Sequence, residues 1–162
     1  MQLYDACRPA KTTNLQTRLS VCVDDVASWM SANRLQLNAA KTVVLWCGSS
    51  RRIVQLPSDP VMICGSNIQP ASSVRDFGVW IDSSITMSTH ISKVVAGCFT
   101  ILSQLRSIRR SLTQATLTGL VVSLVLTRVD YCISVLTGLT SSQLNRLQAV
   151  INAAAHLILS GR

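Results

Sequence analysis

The stretch SWMSANRLQLNAAKTVVLW, residues 28–46, decides the reading of the fold because its period changes in the middle. Upstream, Asn14 can cap a helix over 14–32, and Leu15, Leu19, Cys22, Val26 and Trp29 recur at helical spacing on one stripe. Asn33 ends that run. RLQL then alternates briefly, and residues 42–47 form a β-branched run closed by Gly48, which predicts a buried strand. On these local rules Lys41 is a polar residue between a helix and a strand. A helix that hands over to strands predicts an α+β chain.

The rest of the chain extends that outline. SSRR with Pro57 and Pro60 reads as a loop, and VMICGSNI as a hairpin turning at Gly65-Ser66. VRDFGVWID alternates, with Phe77, Val79 and Ile81 on one face of a further strand. From 88 onward the pattern is helical. Over 88–110, Ile91, Val94, Val95, Cys98, Leu102 and Leu105 make a stripe. Ser111-x-x-Gln114 and Thr140-x-x-Gln143 both fit a capping box. Residues 113–137 are apolar nearly all round, which predicts a central buried helix stopped at Gly138. Over 142–159, Leu144, Leu147, Ile151, Ala154 and Ile158 repeat at spacings of three and four. The expected architecture is a helix plus a small antiparallel sheet over 1–87, followed by a three-helix bundle over 88–162.

Composition bounds the function. With 162 residues and 48% apolar content the chain can bury one ordinary core, and disorder is not expected. The net charge is +8, and all seven acids are Asp. So few acids narrow the supply of general acids and metal ligands. Residues 1–82 carry eight bases and six acids, whereas 83–162 carry seven bases and one acid, Asp130. A basic, acid-poor half suits a polyanion, and equally a set of solvated cationic faces. The six cysteines are at least fifteen residues apart, so no C-x-x-C and no metal spacing exists. Mostly buried free thiols in a reducing compartment are expected. MQLYDACRPA lacks the apolar core of a signal peptide, which predicts an intracellular protein of nucleus or cytoplasm, not a secreted one. LVVSLVL, residues 120–126, is too short to span a bilayer before Arg128 and Asp130 interrupt it, so no membrane association is expected.

Candidate site residues are few. Asp24 and Asp25 are adjacent on a helix, so their carboxylates point about 100° apart and do not converge on one metal. Asp76 and Asp82 flank a strand as turn residues. His90 and His156 are isolated and read as surface or cap residues. No Ser-His-Asp grouping, P-loop or G-x-G-x-x-G is present. Arg106, Arg109 and Arg110 share one side of their helix. They can contact phosphates, or complement the helix C-terminal dipole and stay in water. Lys93, Arg128 and Arg146 add to this basic set.

Four blocks carry a resemblance. The pattern W-M-S-x-N-x-L-x-L-N-x-x-K-T-x-x-L, from Trp29 to Leu45, resembles the segment after the catalytic loop in reverse transcriptases of non-LTR, LINE-type (jockey-like) retrotransposons. VRDFGVWIDSSITMSTHI (74–91) is similar to that family's primer-grip segment. LTRVDYCISVLTGL (126–139) is similar to its thumb signature, and LNRLQAVINAAAHLI (144–158) to its ending. The blocks follow family order at family spacing over nearly the whole chain.

The resemblance implies a partial polymerase palm over 1–87 and a thumb-like region over 88–162. It implies an RNA-directed DNA polymerase whose partner is an RNA/DNA template-primer. Gln2-Leu3-Tyr4 match the last residues of the family's catalytic hairpin, so the metal-binding aspartates are expected to lie outside this chain. Mg²⁺ is expected for the complete family enzyme, and no cofactor or metal site for this chain, which is expected to be inactive alone. Lys41 would act as a proton donor to the pyrophosphate leaving group. Phe77, Gly78, Val79, Trp80, Ile81 and Asp82 would hold the primer terminus. Lys93, Arg106, Arg109, Arg110, Arg128 and Arg146 would contact nucleic acid. The chain departs from the family at Val43 (usually Glu), Phe77 (Leu), Ile151 (Gln) and His156 (Arg). Packing on the missing palm, or self-association through the exposed sheet edge near 42–47, is a further expectation. The alternative reading is a non-enzymatic basic helical module that binds nucleic acid or packs on a partner.

Overall fold

The computed structural model describes residues 2–131 and 138–160. The fold is α+β, as the change of period predicts. It divides into two compact units, one of residues 1–74 with 83–85 and one of residues 75–82 with 86–162. Residues 75–82 therefore cluster with the helices that follow.

In the first unit, helix α1 spans Thr12–Ala32 behind a 3₁₀ turn at Pro9–Lys11. Lys11, not Asn14, occupies the N-cap, and no side chain caps it. The buried positions are Thr12, Leu15 and Val23, with Leu19, Val26, Ala27 and Met30 half-buried. Cys22 and Trp29 are exposed, so the inward face is rotated from the expected stripe. Asn33 does end the helix, its amide N–H reaching the carbonyls of Trp29 and Met30.

The expected strand over 42–47 shrinks to β1, Val44–Leu45, half-buried and paired in parallel with β4, Pro70–Ala71. The RR segment expected as loop carries one helical turn, α2, Ser50–Ile53. Strands β2, Val61–Ile63, and β3, Ser66–Ile68, form an antiparallel hairpin in which Ile63 pairs with Ser66. The turn residues are thus Cys64-Gly65, one position before the expected pair, and both have positive φ (45° and 73°). That is the geometry whose twist matches a two-residue hairpin. Val23, Val61 and Ile63 form the core here, with Leu37, Val44, Trp46 and Ile68 against it.

VRDFGVWID is a second hairpin and not one strand: β5, Ser73–Asp76, and β6, Val79–Asp82, flank a Phe77-Gly78 turn. Phe77 (φ 43°) and Gly78 (φ 87°) both sit at positive φ. Phe77 is therefore at a turn, 85% exposed, and does not share a strand face with Val79 and Ile81.

The second unit is built on α3, Ser88–Ile108, whose buried residues Ile91, Val95, Cys98, Leu102 and Leu105 are the expected stripe, with Val94 packed beside them. Helix α4, Gln114–Val121, is capped by Thr113 and not Ser111, the Thr113 hydroxyl accepting the Thr116 N–H. A π-helical turn over Val122–Leu126 continues it into α5, Thr127–Asp130. Only one face of this stretch is buried: Leu117, Val121, Val125 and Val129, four apart. Val122 and Leu124 are exposed, so the helix is not enclosed all round. Its expected continuation over 132–137 lies outside the described residues; Gly138 has φ 85°.

Helix α6, Ser141–Leu159, begins with the full capping box of Thr140 and Gln143. Its buried line is Leu147, Val150, Ala154 and Leu157, while Leu144 and Ile151 face out. Helices α3, α4, α5 and α6 enclose one apolar core.

Candidate nucleic-acid interface

Asp82 closes β6, six residues before α3 begins at Ser88. Its carboxylate is buried and accepts the backbone N–H of Thr86 at 2.9 Å and of Thr89 at 3.3 Å, with the Thr86 hydroxyl at 3.3 Å. Met87, at the N-cap, contributes no side-chain bond. Asp82 thus does what a capping side chain does, satisfying first-turn donors and placing negative charge at the positive end of the dipole. It is turned into the protein.

His90, one turn into α3, is 2% exposed, which corrects the surface reading. Its Nδ1 accepts the Trp80 backbone N–H at 3.1 Å, so the neutral ring carries its proton on Nε2. Burial holds its pKa below the ordinary 6.5. The Tyr131 hydroxyl donates to the Phe77 carbonyl at 2.8 Å, bracing the turn from α5. A Cβ at Gly78 would lie 3.5 Å from the Tyr131 ring. Two side chains, His90 on α3 and Tyr131 at the end of α5, therefore hold the hairpin at β6 and at its turn, and Phe77 projects from it into solvent.

Lys93 extends along this hairpin. Its Nζ stands 4.2 Å from the centroid of the Trp80 ring, a cation–π distance. Lys93 and Gly97 share a face of α3 by helical spacing. The Arg128 guanidinium of α5 lies across Gly97, with Nη1 3.7 Å from where a Cβ would be. From α6, Arg146 Nη1 donates to Ser92 Oγ at 3.1 Å. Three cations from three helices therefore gather along the N-terminal half of α3, a helix with no acidic residue.

The other predicted arginines separate from this set. The α3 helix ends at Ile108, so Arg109 and Arg110 lie in a 3₁₀ turn, Arg109–Ser111, and not on one helical side with Arg106. Arg109 Nη1 donates to Ser160 Oγ at 3.2 Å, and its Nη2 is buried without a hydrogen-bond partner. It serves the C-terminal end of α6, where cations belong. Arg106 and Arg110 are exposed. His156 is exposed on α6.

Lys41 belongs to the first unit. It ends a 3₁₀ turn, Ala39–Lys41, is exposed, and its amide N–H reaches the Asn38 carbonyl at 3.0 Å. Asp24 and Asp25 are exposed, as a solvated face requires, and Asp24 approaches the Cys64 thiol. Among the described residues no three His, Cys or Asp side chains come together to hold a metal. A two-metal polymerase centre needs clustered carboxylates, and the described Asp side chains do not supply such a cluster. The thiols also depart from expectation: Cys7, Cys22, Cys47 and Cys64 are exposed, and Cys98 is the buried one among those described. Among the described residues no helix is long and apolar enough to cross a membrane.

The Trp80–Lys93 pair and the Tyr131 brace escaped the sequence reading, because each joins residues that no local period relates. An Asp four residues before a Thr and six before a helix start was the available signal for Asp82. Compared with known proteins, the chain matches no family model, no curated protein and no solved structure.

Proposed function

We propose that this chain is a late-palm and thumb portion of a LINE-type reverse transcriptase, and that it grips a nucleic-acid backbone without catalysing transfer by itself. The motif series from Trp29 to Ile158 supports the family. The observation that carries the binding role is the set of cations Lys93, Arg128 and Arg146 along the N-terminal half of α3, with Lys93 over the Trp80 ring. Phosphates would replace counterions at these cations, and Phe77 and Trp80 offer rings to a base or a sugar. Palm and thumb name the roles of the two segments in this reading, 1–87 and 88–162. Lys41 would serve the nucleotide side only together with carboxylates supplied from elsewhere.

Filter binding of the full chain to a primer–template duplex at two salt concentrations tests the reading. Three phosphate contacts predict a slope of log K against log salt of roughly −2 to −3, about −0.9 per contact. No binding even at low salt would reject it. Equal binding of any polyanion, with no preference for a duplex, would favour the plain basic module. Primer extension above a no-protein control would refute the statement that the chain is inactive alone.

A further inference from the structure

Helix α6 carries a second apolar stripe that the bundle does not cover. Leu147, Val150, Ala154 and Leu157 are buried, whereas Leu144, Ile151, Ala155 and Leu159 are exposed on an adjoining face, with Ile158 half-buried at its edge. Leu144, Ile151 and Leu159 are 53%, 39% and 77% exposed. Large apolar side chains scattered singly over a surface are ordinary, but three aligned along one helix form a contact face. Gln148 lies between them. Its Nε2 donates to Asn152 Oδ1 at 2.9 Å, so part of the polar surface beside the stripe is already satisfied within the helix.

Charge decides what can cover this stripe. The chain carries a net charge of +8, so two copies repel wherever their cations meet. Between Ser141 and Leu159 the one charged side chain is Arg146. By helical spacing it lies about 140–180° round α6 from the stripe residues. It is turned toward α3, where it donates to Ser92 Oγ. A second copy can therefore approach the stripe without opposing cations. An acidic partner finds no cation there, and a lipid surface calls for flanking Lys or Arg that the stripe lacks. The order of residues adds self-complementarity. Leu144 and Leu159, like Gln148 and Ala155, are equidistant from a point between Ile151 and Asn152. An antiparallel copy of α6 would set Leu144 beside Leu159, Gln148 beside Ala155, and Ile151 beside its own counterpart. That is the condition for a two-fold contact, in which residue i meets j and j meets i.

We propose that this face of α6 is a self-association surface that joins two copies of the chain antiparallel about Ile151. It differs from the sheet-edge association expected near residues 42–47, and Arg146 stays outside the contact. The stripe is about 22 Å long. A single helix face of that length buries less than the roughly 800 Å² per partner of a standard interface, so the dimer is reversible and its dissociation constant micromolar. Sedimentation equilibrium of the full chain across micromolar concentrations tests it. Ile151→Lys places a cation against its own counterpart and is expected to weaken the dimer at least tenfold. Phe99→Lys adds the same charge at an exposed apolar residue of α3 and is expected to change it less than threefold. A chain that stays monomeric throughout, or an equal effect of both variants, overturns the proposal. Should Ile151→Lys fail to fold, cross-linking decides. Under mild oxidation Ile151→Cys is expected to give a disulfide between the two position-151 thiols, located by mass spectrometry of the digested dimer. Ala149→Cys, exposed on another face of α6, is expected to give none. Links confined to the native cysteines, or equal linking at both positions, overturn the surface.

Discussion

The Asp82 carboxylate accepts the Thr86 amide N–H at 2.9 Å, tying the last residue of β6 to the start of α3. Asp82 is buried, so removing it leaves the Thr86 and Thr89 donors without their acceptor in a place water reaches poorly. Asp82→Ala is expected to lower stability in urea by about 2 kcal/mol, the range for charged hydrogen bonds and capping side chains. Asp82→Asn keeps one acceptor oxygen and is expected to cost less. Were Asp82 a ligand-side residue, both variants would instead unfold like the unmodified chain and lose duplex affinity.

His90 makes the same junction sensitive to acid. Its folded pKa lies below the ordinary 6.5 because burial disfavours the imidazolium, so the unfolded chain takes up the proton first as pH falls. This contribution to stability is complete above pH 6.5 and is lost progressively below it, down to the folded pKa. Protonation at Nδ1 also ends its bond from the Trp80 N–H. The unfolding free energy from urea curves is expected to fall by up to about 1.4 kcal/mol per pH unit from this group as pH drops below 6.5. His90→Gln, which keeps an acceptor and does not titrate, is expected to flatten the curve over that window. An unchanged slope in His90→Gln would remove the residue from the explanation.

Arg109 and Arg146 are both surface arginines in the sequence, yet the structure gives them different work. Arg109 ties α3's end to Ser160 and keeps one nitrogen buried, while Arg146 bonds Ser92 from an exposed position. Arg109→Ala is expected to destabilise by about 1 kcal/mol and leave the salt slope of duplex binding unchanged. Lys93→Ala and Arg146→Ala are each expected to leave stability nearly unchanged and to reduce the slope by about 1. Unfolding curves and salt titrations on the same preparations separate the two behaviours.

The α3 stripe was legible because its apolar residues occupy one face and its polar residues the others. In α6, Leu144, Leu147, Val150, Ile151, Ala154 and Leu157 offer two overlapping stripes, and the choice between them is made by the helices packed against it. The hairpin at 73–82 was hidden for a different reason. A Phe-Gly turn lacks the Asn or Asp that usually announces positive φ, and the alternating pattern continues through it. The cations were visible as residues but not as a set. Lys93, Arg128 and Arg146 are brought together by tertiary packing, and Arg109 is withdrawn from them by the end of α3. Trp29 shows the opposite limit: its helical spacing suggested burial, yet it is 62% exposed.

The thiols offer a probe of both units. At Cys64, local desolvation and then the Asp24 carboxylate push the thiol up, whereas Cys98 is pushed up by burial against a smaller opposing effect of Arg128. The thiolate is the reacting form, and its fraction at fixed pH falls faster with rising pKa than its nucleophilicity gains. Iodoacetamide at pH 8 is therefore expected to modify Cys7 and Cys22 before Cys64, and Cys98 only when the helical unit opens. Asp24→Asn removes the carboxylate charge while leaving the exposed Cys64-Gly65 turn in place, so it is expected to accelerate Cys64 alone. Mass spectrometry of the digested protein reads each site. Equal rates at Cys64 in both proteins would show that Asp24 does not govern that thiol, and labelling of Cys98 as fast as Cys22 would contradict its burial.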